Sequence, residues 1–267
     1  MHIQFPGLDP IPILFEDRTV LAIDKPAGWM LIPFTWQRTN RNLQAAIESS
    51  IAAGHFWARS RNVKYLRHVH RLDAETTGIL LFARSQGALN QLGDLFEQRL
   101  VEKVYLAVVS GEPRQSEWVC RQPIGPVPKQ FGRMQIDMKE GKPAETAFKV
   151  LETRDGRSLI ECRPVTGRTH QIRVHLLDAG LSIIGDPMYG AARKASLLLA
   201  GGMAGGQGGR PSERGSQDVR YPMGLRAVKL GFLNPFTRKQ VFVKAPPGDF
   251  LKAFGFETVQ ASPSSSS

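Results

Sequence analysis

Residues 67–82 read RHVHRLDAETTGILLF, and the rest of the chain can be interpreted outward from this stretch. It begins inside a short extended segment, residues 66–69, and ends in an apolar run, residues 79–82, that is typical of a buried strand. The loop between them places the carboxylate of Asp73 beside Arg71. We therefore expect Asp73 to lie at a sheet edge among cations. A single acid that a basic protein holds in such a place is a candidate functional residue.

Strand-like segments outnumber helical ones along the chain and do not alternate with them regularly. The other predicted strands cover residues 11–16, 19–24, 104–109, 146–152, 158–162, 227–232 and 240–243. Asn42 and Ser85 are N-cap residues of predicted helices over residues 42–53 and 86–100, and a third, short helix begins at Thr169 and ends at Gly180. The sequence thus predicts an α+β fold with a mixed, mainly antiparallel sheet and flanking helices.

The charge of the chain indicates a polyanionic partner. Lys and Arg number 35 against 24 Asp and Glu, which gives a net charge of +11, and the isoelectric point is about 10.0. A surplus of this size is an argument about partners rather than fold. It favours nucleic acid first and an anionic membrane surface second.

Three features predict a cytoplasmic location. The N-terminal residues lack the basic and apolar regions of a signal peptide, and no apolar run approaches the roughly 18 residues of a membrane span. Cys120 and Cys162 match no metal-ligand spacing, which favours buried thiols in a reducing compartment. No membrane association is predicted.

A second cluster, GRTHQIRVH at residues 167–175, combines cations with a helix start. On a helix that begins at Thr169, Arg173 lies on the same side as Thr169. Arg168, His170 and Gln171 lie at its N-terminus, where backbone N–H groups favour phosphate. If Arg173 approaches Asp73, its charge keeps that carboxylate ionised. Asp73 is then a nucleophile or a general base; the alternative is an acid that caps a loop or pairs with a structural arginine.

Two other kinds of site compete with this interpretation. His68, His70, His170 and His175 suggest zinc, but no cysteine or acid joins them at metal-ligand spacing, so no metal is predicted. Asp73 and Glu75 suggest a glycosidase pair, which needs carboxyl groups roughly 5–9.5 Å apart. Glu75 is more typical of a solvated loop.

Several motifs occur together and in a recognisable order. They are IDKPAG at residues 23–28, HRLD at 70–73 with TG at 77–78, KVYLAVV at 103–109, the cluster at 167–175, GDPMYG at 185–190 and FLNP at 232–235. In order and spacing, these motifs resemble the RluA-type pseudouridine synthases over residues 10–250. The resemblance implies the pseudouridine synthase fold, with a basic RNA-binding cleft across the sheet and Asp73 at its floor.

The resemblance also implies an activity and a set of roles. The family isomerises uridine in RNA to pseudouridine without a cofactor or a metal. By position, Asp73 matches the catalytic aspartate, Tyr105 the tyrosine that stacks on the uracil, and Arg173 the basic residue that pairs with the aspartate. Arg71 matches an arginine that fills the space of the flipped base, and Ile172 an apolar residue at the uracil pocket. From the residues alone, a tyrosine on a strand such as Tyr105 is more typical of the core.

These residue types suit the chemistry. A paired or stacked uridine must be extruded, at a cost of a few kcal/mol, and stacking on an aromatic ring returns roughly 1–3 kcal/mol. The carboxylate acts at C1′ as a nucleophile or as a base in an elimination; the residues leave both routes open. Arg67, His70, Arg168 and Gln171 are predicted to contact the substrate. The acid-free run that also holds Arg59, Arg61 and Lys64 is predicted to face RNA.

The predicted organisation is one catalytic domain over residues 1–255, with a flexible Gly-rich insert at 200–217 and a disordered tail at 256–267. Only about ten residues precede the first predicted strand, so we expect no N-terminal S4-type domain of the kind that many relatives carry, and a monomer. The RNA is tRNA or rRNA. The rival hypothesis is an RNA-binding module for which catalysis is dispensable.

Overall fold

The computed structural model describes residues 1–31, 41–190 and 222–257, so the insert predicted at 200–217 and the tail from residue 258 lie outside the described residues. The chain forms two compact units. Unit 1 comprises Met1–Leu106 and Leu225–Ser267, and unit 2 comprises Ala107–Gly224. The prediction of a single catalytic domain over residues 1–255 stays a prediction. None of the helices in the described ranges is long and apolar enough to cross a membrane.

Strands dominate both units. They are β1 (His2–Ile3), β2 (Ile11–Glu16), β3 (Val20–Lys25), β4 (Arg67–His68), β5 (Thr77–Ala83), β6 (Glu102–Ser110), β7 (Glu117–Cys120), β8 (Ile124–Pro126), β9 (Met134–Ile136), β10 (Thr146–Arg154), β11 (Arg157–Pro164), β12 (Ser182–Ile183), β13 (Leu225–Leu233) and β14 (Gln240–Lys244). The helices are α1 (Leu43–Ala52), α2 (Phe56–Arg59), α3 (Gln86–Glu97), α4 (Gln171–Asp178) and α5 (Gly248–Ala253).

The sheet of unit 1 is built around β5. Strand β3 runs antiparallel to it from the pair Val20–Ala83 to the pair Lys25–Gly78, β2 joins β3, and β1 joins β2. Strand β13 pairs with β5 in parallel and with β14 in antiparallel fashion. Gly78 has φ +103°, and a Cβ there would lie 2.1 Å from the carbonyl oxygen of Ala227. Only glycine allows this close approach directly after the Asp73 loop.

The hydrophobic core of unit 1 is formed by side chains of this sheet and of the helices that pack on it. Side chains of β3 and β5, including Leu21, Ile23, Leu80 and Phe82, are completely buried. Such continuous apolar runs are expected for strands covered on both faces. Helices α1 and α3 contribute Ile47 and Leu92 to the same core, and each carries its predicted polar cap at the N-terminus.

Unit 2 is organised by the hairpin of β10 and β11. The two strands pair from Thr146–Pro164 to Arg154–Arg157, with a register shift between Val150 and Glu152. Strand β7 adds to the other edge of β10, and β12 pairs with residues 109 and 110 of β6. Strands β8 and β9 form a separate small sheet. The predicted α+β class with a mixed, mainly antiparallel sheet is confirmed.

The N-terminal caps of two helices and the state of the cysteines agree with the sequence predictions. Asn42 and Ser85 cap α1 and α3, since Asn42 Oδ1 accepts from Ala45 N at 3.1 Å and Ser85 Oγ from Ala88 N at 3.1 Å. Both cysteines are buried free thiols, as predicted. The prediction that Thr169 caps the third helix is wrong. Helix α4 begins at Gln171, and the sequence signals also failed to indicate β1, β7–β9, β12, α2 and α5.

Candidate functional site

The loop that carries Asp73 is fixed from beneath by a buried lysine. Lys25 Nζ donates to the carbonyl oxygens of Ala74 at 2.7 Å, Thr76 at 2.9 Å and Pro26 at 3.1 Å, and the side chain is completely buried. Burial lowers the pKa of Lys25 to about 8, against the charges of Glu75 and Asp73, which raise it. Two of the three ammonium protons bind carbonyl groups of the Asp73 loop and the third binds the neighbouring Pro26, so the backbone around Asp73 is pre-organised.

His70 anchors the start of the same loop. Its Nε2 accepts the backbone N–H of Leu81 at 3.2 Å, and its ring stacks on Phe96 with 5.0 Å between centroids. Burial lowers the pKa of His70 to about 3, and the charge of Lys103 adds to the effect. The imidazole is therefore neutral near pH 7 and ties β5 to α3. Its predicted contact with substrate stays a prediction.

The remaining predicted residues of unit 1 are accessible from solvent. Arg71 is exposed, whereas Asp73 and Tyr105 are half-buried. Tyr105 lies on β6 and packs against the core of unit 1, so the core interpretation of this residue is partly right. Arg67 is exposed and forms an ion pair of 2.7 Å with Glu48. These side chains are placed where a ligand could reach them.

In unit 2 the guanidinium of Arg173 is held by a second aspartate. Arg173 Nε donates to Asp186 Oδ2 at 2.7 Å and Nη2 donates to Oδ1 at 2.8 Å, while Oδ1 also accepts from the N–H groups of Met188 and Tyr189. Burial by itself raises the pKa of Asp186, but the hydrogen bonds and charge of Arg173 outweigh it, and the pKa is lowered. This two-bond geometry gives Arg173 one orientation.

Tyr189 completes the support of Arg173. The guanidinium carbon lies 4.9 Å from the centre of the Tyr189 ring, which is within cation–π range. The Tyr189 hydroxyl accepts from Met134 N at 2.9 Å, donates to Met134 O at 3.2 Å and lies 2.9 Å from His170 Nδ1. Asp186 and Tyr189 belong to the GDPMYG motif, to which the sequence interpretation gave no role. The signal available in the sequence was an acid in a motif that follows the cluster of Arg173 closely along the chain.

The start of α4 explains why Thr169 is not the cap. Gln171 Oε1 accepts from Arg168 N at 2.9 Å and Thr166 Oγ1 at 2.7 Å, and Gln171 Nε2 donates to Glu145 O and Thr146 Oγ1, both at 2.9 Å. These bonds use both amide hydrogens and both lone pairs of the oxygen. Gln171 therefore fixes the turn against β10, and its predicted contact with substrate stays a prediction.

The other predicted residues at this helix are placed as follows. His170 is the residue before the helix, with φ +57°, and is buried. Arg168 Nε donates to Pro143 O at 3.0 Å, which leaves its remaining guanidinium hydrogens for other partners. Ile172 is buried. Because Asp73, Arg71 and Tyr105 belong to unit 1 and Arg173 and Ile172 to unit 2, the pairing of Arg173 with Asp73 and the cleft stay predictions.

The histidines that suggested zinc have protein partners. His68 Nδ1 lies 2.9 Å from Gln44 Oε1, and His175 lies 3.0 Å from Thr146 Oγ1 through Nδ1 and 2.9 Å from Gln122 O through Nε2. Within residues 1–31, 41–190 and 222–257, no group of three or more His, Cys, Asp or Glu is arranged to hold a metal. The geometry favours structural roles for these rings.

Comparison with known proteins gives a consistent result. The profile of the RNA pseudouridylate synthase family matches residues 19–178. The chain is 39% identical over 181 residues to ribosomal large subunit pseudouridine synthase D of Nitrosomonas europaea, which covers 68% of this chain and 50% of that protein. It is 35% identical over 201 residues to pseudouridylate synthase RPUSD2 of Mus musculus, which covers 75% of this chain and 33% of that protein.

A solved structure shows the same fold. Human RNA pseudouridylate synthase domain containing 1 superposes with a TM-score of 0.64 at 27% identity, over 92% of this chain and 87% of that chain. The chain spans a third to a half of the length of the two curated relatives above.

Proposed function

Because the chain belongs to the RNA pseudouridylate synthase family, whose profile covers more than half of its length, we propose that it isomerises specific uridines in structured RNA to pseudouridine. The resemblance inferred from the motifs is thereby confirmed at the level of the family. The observation that supports the activity most directly is that Lys25 fixes the Asp73 loop by hydrogen bonds to the carbonyl groups of Ala74 and Thr76.

Access to the target nucleotide is the first requirement of this function. Extrusion of a uridine costs a few kcal/mol. The exposed guanidinium of Arg71 fills the vacated space, and the half-buried ring of Tyr105 supports the extruded uracil. Ile172 completes the apolar side of the uracil pocket, and Arg67 and Arg168 contact the phosphates. Stacking on Tyr105 offsets the cost of extrusion by about 1–3 kcal/mol.

The carboxylate of Asp73 then acts at C1′ of the ribose, either as a nucleophile or as a base. The bond from N1 to C1′ breaks, the uracil turns, and a bond from C5 to C1′ forms. C5 loses its proton and N1 gains one, so the product is an isomer and neither oxidant nor cofactor is consumed. Arg173, which Asp186 orients, pairs with the carboxylate of Asp73 during this step.

The substrate is a tRNA or an rRNA, and the protein works as a monomer in the cytoplasm. The net charge of +11 supports an RNA partner, and the relative from Nitrosomonas europaea is named for the large ribosomal subunit. Both RNA classes therefore belong in the test.

Mapping of pseudouridine in total tRNA and rRNA tests the proposal. Cells that lack the protein are complemented with the wild type, with Asp73→Ala, or with Glu75→Gln as a control acid two residues away. We expect a site that disappears in the deletion and returns with the wild type and Glu75→Gln but not with Asp73→Ala. Restoration of the site by Asp73→Ala would refute the catalytic role of Asp73.

The rival hypothesis, an RNA-binding module, makes a different prediction for the purified protein. If catalysis is the function, Asp73→Asn keeps RNA affinity and abolishes the release of tritium from RNA that contains [5-³H]uridine. Equal loss of affinity and turnover would instead indicate that Asp73 serves binding.

A further inference from the structure

Unit 1 contains a groove whose lining shares no residue with the site described above. It lies between the N-terminal segment, residues 1–7, and helix α2 with its flanking residues, and its volume is about 520 Å³. This is within the range of roughly 300–1,000 Å³ that is typical of ligand sites. Its lining is mainly apolar and includes the aromatic side chains of Phe5, Phe56 and Trp57, with the imidazoles of His2 and His55.

The inner wall of the groove is held in place by packing and hydrogen bonds. Phe5 and Trp57 are almost completely buried, and the Phe5 ring packs on Trp29 with 5.5 Å between centroids. Trp57 Nε1 donates to Ser50 Oγ at 2.7 Å, and the same hydroxyl lies 2.7 Å from His55 Nδ1. The wall is therefore formed before any ligand arrives, which lowers the entropic cost of binding.

Phe56 differs from the other aromatic residues of the groove because 76% of its surface is exposed. It begins α2, one residue after His55, and its neighbour Trp57 is buried in the wall. An exposed aromatic beside a preformed apolar groove offers a flat surface to a flat ligand. Nucleobases stack on such rings irrespective of sequence.

The charge around the groove selects a polyanion. Residues 55–72 contain five Lys and Arg and no acid. Arg59 and Lys64 are exposed, whereas Arg61 lines the groove with its Nε 3.2 Å from Glu16 Oε2. Exposed cations beside a stacking surface are the combination that binds single-stranded nucleic acid. An apolar peptide would not require this acid-free flank.

We propose that this groove binds a nucleobase from a single-stranded or looped-out part of the RNA, which stacks on Phe56 while its phosphates lie near Arg59 and Lys64. The site adds affinity for RNA outside the reacting uridine. The inference rests on the proposed function for its ligand class, but it concerns binding and can be tested without turnover.

Two fluorescein-labelled probes separate base stacking from charge: a 12-mer of uridylate, and a 12-mer of the same charge whose ribose–phosphate backbone carries no bases. We expect Phe56→Ala to weaken binding of the uridylate 12-mer about five-fold or more, the lower end of what stacking contributes, and to leave the abasic 12-mer unchanged. Phe56→Trp should restore affinity. Phe236→Ala, at another exposed Phe of unit 1, is the matched control and should bind both probes as the wild type does.

The outcomes are separable. Unchanged uridylate binding in Phe56→Ala overturns the proposal and leaves an apolar protein segment as the occupant. Equal weakening of both probes also overturns it, because the effect would then be electrostatic. If the wild type makes no pseudouridine but the probe-specific effect of Phe56→Ala persists, the proposed function fails and the groove stands. If turnover is present, Phe56→Ala should raise KM for structured RNA and leave kcat unchanged.

Discussion

Replacement of Asp186 by alanine would test whether Arg173 depends on its buried partner. The carboxylate of Asp186 is completely buried and the side chain of Arg173 is only 5% exposed. The substitution removes the two carboxylate oxygens that accept from Arg173 Nε and Nη2, one of which also accepts from the backbone N–H groups of Met188 and Tyr189. It leaves the positive charge of Arg173 buried.

The expected loss of stability follows from this geometry. Removal of one partner of a buried ion pair costs about 3–5 kcal/mol, whereas an exposed pair is worth at most ~1 kcal/mol. For a chain of this size, the larger figure corresponds to a fall in Tm on the order of 10 °C. Asp186→Asn should lose less than Asp186→Ala, since the amide oxygen still accepts a hydrogen bond.

Urea denaturation of the wild type and the variants measures this difference. Asp178→Ala, at an exposed acid at the end of α4, is the control and should change stability by about 0.5 kcal/mol or less. Arg173→Met combined with Asp186→Ala should be less destabilised than the sum of the single variants, because the double variant also removes the buried guanidinium that has lost the Asp186 carboxylate. A loss below ~1 kcal/mol for Asp186→Ala, with additive double-variant behaviour, would refute the reasoning.

The pH dependence provides a second measurement of the same pair. The pKa of Asp186 is lowered in the folded protein, so the unfolded chain binds more protons between the two values. The resulting stability is present above the unfolded pKa, near ~3.9, and is lost as the pH falls through the lowered folded pKa. Asp186→Asn should lack this part of the acid sensitivity.

Three further predictions concern unit 1. Lys25→Met removes the donor to Ala74 and Thr76. Ala74 O still accepts from Gly28 N, so the expected cost in urea denaturation is about 1–3 kcal/mol for the carbonyl of Thr76. The variant should also lower kcat, and a wild-type kcat would contradict a role of Lys25 in positioning Asp73. Tyr105→Phe should keep the wild-type kcat/KM for RNA, whereas Tyr105→Ala should lower kcat/KM because roughly 1–3 kcal/mol of stacking on the uracil is lost. Equal kcat/KM in the two variants would exclude stacking. The pKa of His70 falls to about 3 in the folded protein, so the unfolded state binds more protons between that value and ~6.5. Stability should therefore decrease as the pH is lowered through this window. His70→Asn should remove that dependence when denaturation is measured at several pH values.

Much of the local structure follows from short-range signals. The caps at Asn42 and Ser85 were predicted because a capping side chain acts within three residues of its own position. The apolar run of β5 was predicted because it is uninterrupted. Strands β7, β8 and β9 were missed because they are short, have three or four residues each, and are stabilised by pairing rather than by a pattern.

In the candidate site, the sequence identified the functional residues but not the residues that hold them in place. The identity of Asp73, Tyr105 and Arg173 as candidate residues came from motifs and their order, which the sequence carries directly. The residues that hold these side chains in place could not be identified from the motifs. Lys25 meets the carbonyl of a residue 49 positions away, and Arg173 meets an acid 13 positions away, so neither pairing is visible in local spacing.

The sequence therefore determines which chemical groups are available and, through caps, turns and apolar runs, where most of the helices and strands form. Which polar groups are buried together depends on folding. A lysine in a motif can face solvent or lie under a loop, and only the packing of β3 against β5 places Lys25 beneath the Asp73 loop. Burial then makes each such contact strong, because an unpaired charge in the interior is far more costly than one in water.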